Sequence, residues 1–194
     1  MKKTLTILFI LLLSCLVATL VGIIGENINK KIHPMKYSEN VEYYSKLYDV
    51  PEPIIYAVIK TESSFKADAV SPAGAIGLMQ ITPDTFEWLC TKTGETYDVR
   101  LLKDPDTNIR YGTYFLSLLH NEFRAWETVY AAYNAGRTRV NGWLDSEEYN
   151  NSGRLKNIPI KETREYVEKV TKRAKTYEKL YFEEAKTIKD AVTE

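Results

Sequence analysis

One glutamate in this sequence stands at the end of an apolar run. In Pro53-Ile54-Ile55-Tyr56-Ala57-Val58-Ile59-Lys60-Thr61-Glu62-Ser63-Ser64-Phe65, Glu62 follows Ile55, Val58 and Ile59 by seven, four and three residues. In a helix its carboxyl shares their apolar face, while Lys60 points away. Desolvation favours the protonated acid, and the partial negative charge of a helix C-terminus does the same. The helix dipole, at ~0.3–1 kcal/mol, supplies less than about one pKa unit. Lifting a glutamate from ~4.3 toward the ~6–7 suited to general-acid work therefore rests on burial. From these residues alone two readings stand: a solvated helix end, or a buried acid that gives and takes a proton. Other chemistries are poorly provided for. His33 and His120 are the only histidines, so there is no HExxH motif and little basis for a Ser/His/Asp triad. Cys15 lies in an apolar run and Cys90 far outside it, which predicts no disulfide, and no CxxC or Cys/His spacing suggests zinc. We expect no metal ion and no cofactor, and carboxylates to carry any catalysis.

The elements that must hold Glu62 read as helix after helix, with no alternation long enough for a sheet, so the predicted class is mainly α. Tyr37, Val41, Tyr44 and Tyr48 recur at helical spacing, and Val50-Pro51-Glu52-Pro53 breaks and restarts the chain. The next helix then covers about Pro53 to Ser63. Thr82-Pro83 opens one through Cys90, and Asp104-Pro105 one through about Asn121. Another spans Trp126 to Asn134 and stops at Gly136 as a left-handed terminus. A polar stretch follows, with residues 150–157 as the expected mobile loop. A long helix begins near Ile160, with Val167, Val170, Ala174 and Tyr177 on one stripe.

At the front, Leu5 to Ile24 is a run of 20 residues without a charge. At ~1.5 Å per residue it can cross a ~30 Å hydrocarbon core. Lys2 and Lys3 precede it, which predicts a cytoplasmic N-terminus and an outward-facing remainder. The run exceeds the ~7–15 residues of a signal-peptide core, and no clear A-x-A site follows, so a retained anchor is preferred over cleavage and secretion. The 194 residues carry 26 basic and 26 acidic side chains, and without the two N-terminal lysines the rest is slightly acidic. Bulk charge gives no case for nucleic acid as a partner. The expected organisation is a membrane anchor at 1–25, a juxtamembrane linker at 26–36, one helical domain at 37–181 and a charged helical tail at 182–194.

What decides between the two readings of Glu62 is its company. The chain carries Glu62-Ser63-Ser64-Phe65, then Ser71-Pro72-Ala73-Gly74-Ala75-Ile76-Gly77-Leu78-Met79-Gln80, then Ala132-Tyr133-Asn134-Ala135-Gly136, then Glu162-Thr163-Arg164-Glu165-Tyr166-Val167. Together these blocks resemble the lysozyme-like domain of the soluble lytic transglycosylases, the SLT family, over about Val41 to Val170. The resemblance includes the Asp104-Pro105 helix with Asn108 and Gly112. One departure, Lys66-Ala67-Asp68 where relatives often carry an Asn-Pro turn, touches loop geometry and no catalytic position.

The resemblance implies a single lysozyme-like helical domain in which Glu62 is the sole acid/base. It implies that Ser71 and Tyr133 hydrogen-bond or orient Glu62 or the reacting sugar. Gln80, Asn134 and Glu162 would contact substrate, with Met79 and Gly77 in the same block. Structural readings stand beside these: Tyr133 shares a face with Trp126 and Tyr130, Asn134 can end its helix, Glu162 can be a solvated first-turn residue, and Met79 can be core. The implied substrate is the glycan strand of peptidoglycan. Its bond between N-acetylmuramic acid and N-acetylglucosamine would be cut without water, leaving a 1,6-anhydro end. A hydrolytic muramidase on the same fold and a wall-binding module without turnover are the alternatives.

Overall fold

The computed structural model describes residues 2–183. It falls into two compact units, one carrying the N-terminal helix and one beginning at Met35. In the first, α1 spans Lys2–Ile32 and is long and apolar enough to cross a membrane. Its leucines and isoleucines are exposed along the helix, as lipid contact requires. The helix outruns the apolar segment: Glu26 and Lys30 pair one turn apart, so the stretch expected as a linker from residue 26 is helical through Ile32. Of the charged tail expected at 182–194, residues 184–194 lie outside the described residues.

The second unit is built from α2 (Ser38–Tyr48), α3 (Glu52–Glu62), α4 (Pro83–Thr93), α5 (Pro105–Phe123), α6 (Trp126–Ala135), α7 (Arg137–Leu144) and α8 (Lys161–Tyr177). The starts follow the capping logic. Thr82 Oγ1 accepts the Thr85 N–H at 3.2 Å and Asp104 Oδ2 accepts that of Thr107 at 2.8 Å, each just before a proline that has no N–H to satisfy. α3 is the axle of the fold. Every residue from Pro53 to Ile59 is buried, and both α8 and α2 pack on this helix. Tyr56 stacks on Tyr177 of α8 at 5.3 Å, and Arg173 Nη1 donates to Thr61 Oγ1 at 2.8 Å, which pins the end of α3 to α8.

Two expectations need correction. Gly136 has φ 94 and ψ 138, which is not the left-handed helical region, and the chain re-enters a helix, α7, that the sequence did not announce. Gly142 inside it and a single buried side chain, Val140, left almost no periodic signal. The segment expected as a mobile loop forms a small antiparallel hairpin, β1 (Asn150–Asn151) and β2 (Arg154–Leu155). Ser152 and Gly153 both have positive φ, as a two-residue hairpin turn requires, and Asn150 Oδ1 accepts the Gly153 N–H at 2.8 Å. A buried threonine of α6 holds the hairpin down: Thr128 Oγ1 accepts the Leu155 N–H at 3.3 Å.

Candidate active site

Glu62 is the last residue of α3, with its carboxyl turned into the domain. Burial raises its pKa to about 7, even though Tyr166 Oη donates to Glu62 Oε1 at 2.6 Å, which favours the charged form. Burial and the nearby Glu62 charge hold the Tyr166 phenol well above its ordinary pKa, and the same two causes act on Tyr133. Both phenols are therefore neutral donors wherever Glu62 titrates. A carboxyl poised near neutrality can protonate a bound oxygen and, once ionised, take a proton back.

The direct partner of Glu62 is a residue that the sequence reading did not single out. Tyr133 Oη donates to the Met79 carbonyl at 2.8 Å, and Ser71 Oγ accepts the Ala75 N–H at 3.0 Å; neither bonds to Glu62. Tyr166 does. A signal for it existed: it lies four residues after Glu162 and one turn before Val170, on the buried side of α8.

The loop from Ser63 to Ile81 forms one wall. Ser63 Oγ donates to the Leu78 carbonyl at 2.8 Å, and Ile76 and Ile81 exchange backbone bonds at 2.9 and 3.1 Å. Asn108, buried on α5, holds the loop with all its hydrogen-bonding groups: Nδ2 donates to Ile76 O and Leu102 O, and Oδ1 accepts the Met79 N–H at 2.7 Å. Gly77 sits at φ 83 against the Asn108 side chain and the Leu102 carbonyl, with no room for a Cβ. Met79 is wholly buried, its side chain filling the space that Gly112 leaves open. Met79 and Gly77 are thus builders of the wall, and their expected contact with substrate is corrected. Gln80 spends its amide nitrogen on the Ala69 and Gly77 carbonyls, at 3.2 and 2.9 Å. The side chains of Asn134 at the end of α6 and Glu162 in the first turn of α8 make no hydrogen bond or ion pair among the described residues, and Glu162 is exposed.

Among the described residues no group of three or more His, Cys, Asp or Glu could hold a metal ion. A cavity of about 660 Å³ lies between residues 148–159 and α8, lined by Arg164 and Glu168. At helical spacing these face away from Tyr166, and no residue of the Glu62 cluster lines it.

The family model for the transglycosylase SLT domain matches residues 39–155. The chain belongs to the SLT family. It is 33% identical over 168 residues to the soluble lytic murein transglycosylase of Escherichia coli (strain K12), an alignment covering 79% of this chain and 24% of that protein. It is 29% identical over 171 residues to the membrane-bound lytic murein transglycosylase C of Haemophilus ducreyi, covering 76% of this chain and 47% of the relative. Among solved structures, an inactive Glu→Gln mutant of the lytic transglycosylase Slt of Pseudomonas aeruginosa superimposes with a TM-score of 0.68 at 34% identity, over 76% of this chain and 25% of that one. The lysozyme-like helical domain of the SLT family is thus the fold of this chain, which spans a quarter to a half of the length of these relatives.

Proposed function

We propose that this chain is a peptidoglycan lytic transglycosylase and that Glu62 is its single acid/base. The observation that carries the reading is the half-buried Glu62 carboxyl, with its pKa near 7 and one neutral phenol donating to it. In this reading Glu62 protonates the glycosidic oxygen between N-acetylmuramic acid and N-acetylglucosamine, while the muramic acetamide shields the developing cation in place of a second carboxylate. Glu62, now ionised, accepts the proton of the same muramic acid's 6-hydroxyl. That oxygen attacks the anomeric carbon, closing a 1,6-anhydro ring without consuming water. Ser71 and Tyr133 border the reacting sugar, each with a hydroxyl on the wall of the site. Asn134, Glu162 and the carbonyl oxygen of Gln80 contact its hydroxyl and amide groups. The names of the murein-cleaving relatives, and the inactive Glu→Gln form of the Pseudomonas protein, support this assignment.

We further propose that α1 is a retained single-pass anchor, that residues 33–36 complete the linker, and that residues 37–181 act as the transglycosylase domain outside the cytoplasmic membrane. The charge-free stretch in α1 and the membrane-bound relatives support this placement. The test is mass spectrometry of fragments released from purified peptidoglycan by the detergent-solubilised chain, with Glu62→Gln alongside. Fragments lighter by one water than hydrolytic products, lost with the variant by a factor of ~10²–10⁴, are expected. Reducing ends would make the enzyme a hydrolytic muramidase, and binding without release would make it a wall-binding module.

A further inference from the structure

A row of half-buried aromatic rings leads away from the Glu62 cluster across α5 and onto α4. It starts at Tyr133, whose hydroxyl holds the Met79 carbonyl and whose ring senses the Glu62 charge. The Phe115 ring lies 5.2 Å from that of Tyr133, and the Trp88 ring lies 6.1 Å from Phe115, edge to face at 76°. One turn along α4, Lys92 Nζ stands 5.6 Å from the centre of the Trp88 ring. All three rings pack against the core, yet none is fully buried, whereas Phe86, Leu89 and Cys90 of the same α4 are. The indole N–H of Trp88 makes no hydrogen bond among the described residues and is not closed off from solvent. An indole with an open edge, a free donor and an ammonium over its face suits a sugar that bears a carboxyl group: ring C–H groups against the indole, a hydroxyl or acetamide at the N–H, the carboxylate at the cation. Lys92 is exposed, and its four-carbon stem lets the ammonium move from the ring face to a carboxylate beside it.

We propose that Trp88 and Lys92, joined to the reacting centre by Phe115, form a distal sugar subsite that holds the glycan strand away from the cleaved bond. The choice of a glycan as occupant rests on the function proposed above and on the unbroken run of rings from Tyr133. An N-acetylhexosamine lies on the indole, and the lactyl carboxylate of a neighbouring muramic residue that carries no peptide meets Lys92. The subsite is reached only by strands that extend past Tyr133, so it makes the enzyme prefer long strands.

The test uses the full chain in detergent as Glu62→Gln, so that strands bind without being cut, and peptide-free glycan strands of short and long defined length. Long strands are expected to bind more tightly than short ones, with a change in tryptophan fluorescence. Adding Trp88→Ala raises the Kd for long strands about tenfold and removes the length preference; Trp88→Phe, which keeps a ring, loses less. Lys92→Met weakens the muramic strands but not neutral N-acetylglucosamine oligomers of equal length. An unchanged long-strand Kd in a folded Trp88→Ala protein would overturn the subsite, as would equal Kd values for all lengths in the parent. Should the chain with Glu62 intact fail to release anhydro fragments while the Trp88-dependent length preference holds, the reaction reading falls and the subsite stands. Normal fragment release with no Trp88 effect is the converse.

Discussion

The two walls beside Glu62 spend their polar groups differently. In the 63–81 loop, Ser63, Ser71 and Gln80 all turn side-chain polar atoms back onto the loop's own backbone, and Asn108 reaches in from α5 to bond two more of its groups and the Leu102 carbonyl beside it. On the α6–α8 side, Asn134 and Glu162 hold nothing among the described residues. The same sequence blocks thus mix two kinds of residue, those whose hydrogen-bonding capacity is consumed in shaping the site and those whose capacity is left for a ligand. Tyr166 stands between: it is buried, yet its one donor is aimed at the reacting carboxyl.

The contrast is broken most forcefully on the loop side. Asn108→Ala leaves the Met79 N–H and the Leu102 carbonyl without their partner and the Ile76 carbonyl with the Ile81 N–H alone, and should cost about 3 kcal/mol. Gly77→Ala should cost as much, because its Cβ runs into the Asn108 side chain and the Leu102 carbonyl while φ 83 is strained for alanine. Urea denaturation of the chain measures both. A loss below about 1 kcal/mol would mean that the loop can relax and that the wall is not built as described.

Glu62 itself sharpens the comparison through pH. Its folded pKa, about 7, lies above the ordinary 4.5, so the folded state binds the proton more tightly than the unfolded chain. The stability tied to that proton is full below pH 4.5 and is lost as pH rises through 7. The shift corresponds to roughly 3 kcal/mol. Glu62→Gln, neutral at every pH and still able to accept from Tyr166, should therefore unfold at higher urea than the parent at pH 8, with the two converging near pH 4.5. Equal stability at pH 8 would show that the carboxyl is not desolvated. The same ionisation sets activity: the protonated acid needed for the first step is depleted as pH climbs past 7.

Tyr166→Phe has a smaller and more specific effect. Its hydroxyl favours the charged carboxylate, so its removal raises the Glu62 pKa further and moves the basic limb of the rate profile to higher pH. The stability cost should be about 1 kcal/mol. A lower rate with an unmoved pH limb would leave Tyr166 as packing alone.

The architecture was legible where period and punctuation coincide. Thr82-Pro83 and Asp104-Pro105 announced the starts of α4 and α5, and the spacing of Ile55, Val58, Ile59 and Glu62 placed the carboxyl on the inner face of α3. What stayed hidden depends on contacts distant in sequence. Glu62 and Tyr166 are 104 residues apart, and the spacing that puts Tyr166 on the buried side of α8 does not say that it, rather than Tyr133, reaches the carboxyl. Met79 sits inside a block shared with active-site residues, and only Asn108 and Gly112, about thirty residues on, show why it fills space. α7 and the hairpin were missed because each buries too little to leave a periodic signature.

The smallest effects belong to the open wall. Asn134→Ala and Glu162→Gln remove groups that bond to nothing among the described residues, so each should change stability by no more than about 0.5 kcal/mol. A neutral hydrogen bond to a bound sugar contributes about 1 kcal/mol and one to a carboxylate more, so the Kd for glycan strands should rise about fivefold for Asn134→Ala and at least about fivefold for Glu162→Gln. The two sites lie on different helices and share no partner, so the double variant should lose the product of the two factors. Isothermal titration of the folded variants reads the affinity, and urea denaturation reads the stability. If Asn134→Ala were to destabilise the chain as Asn108→Ala does, unspent hydrogen-bonding capacity would no longer separate the residues that build this site from those that touch its ligand.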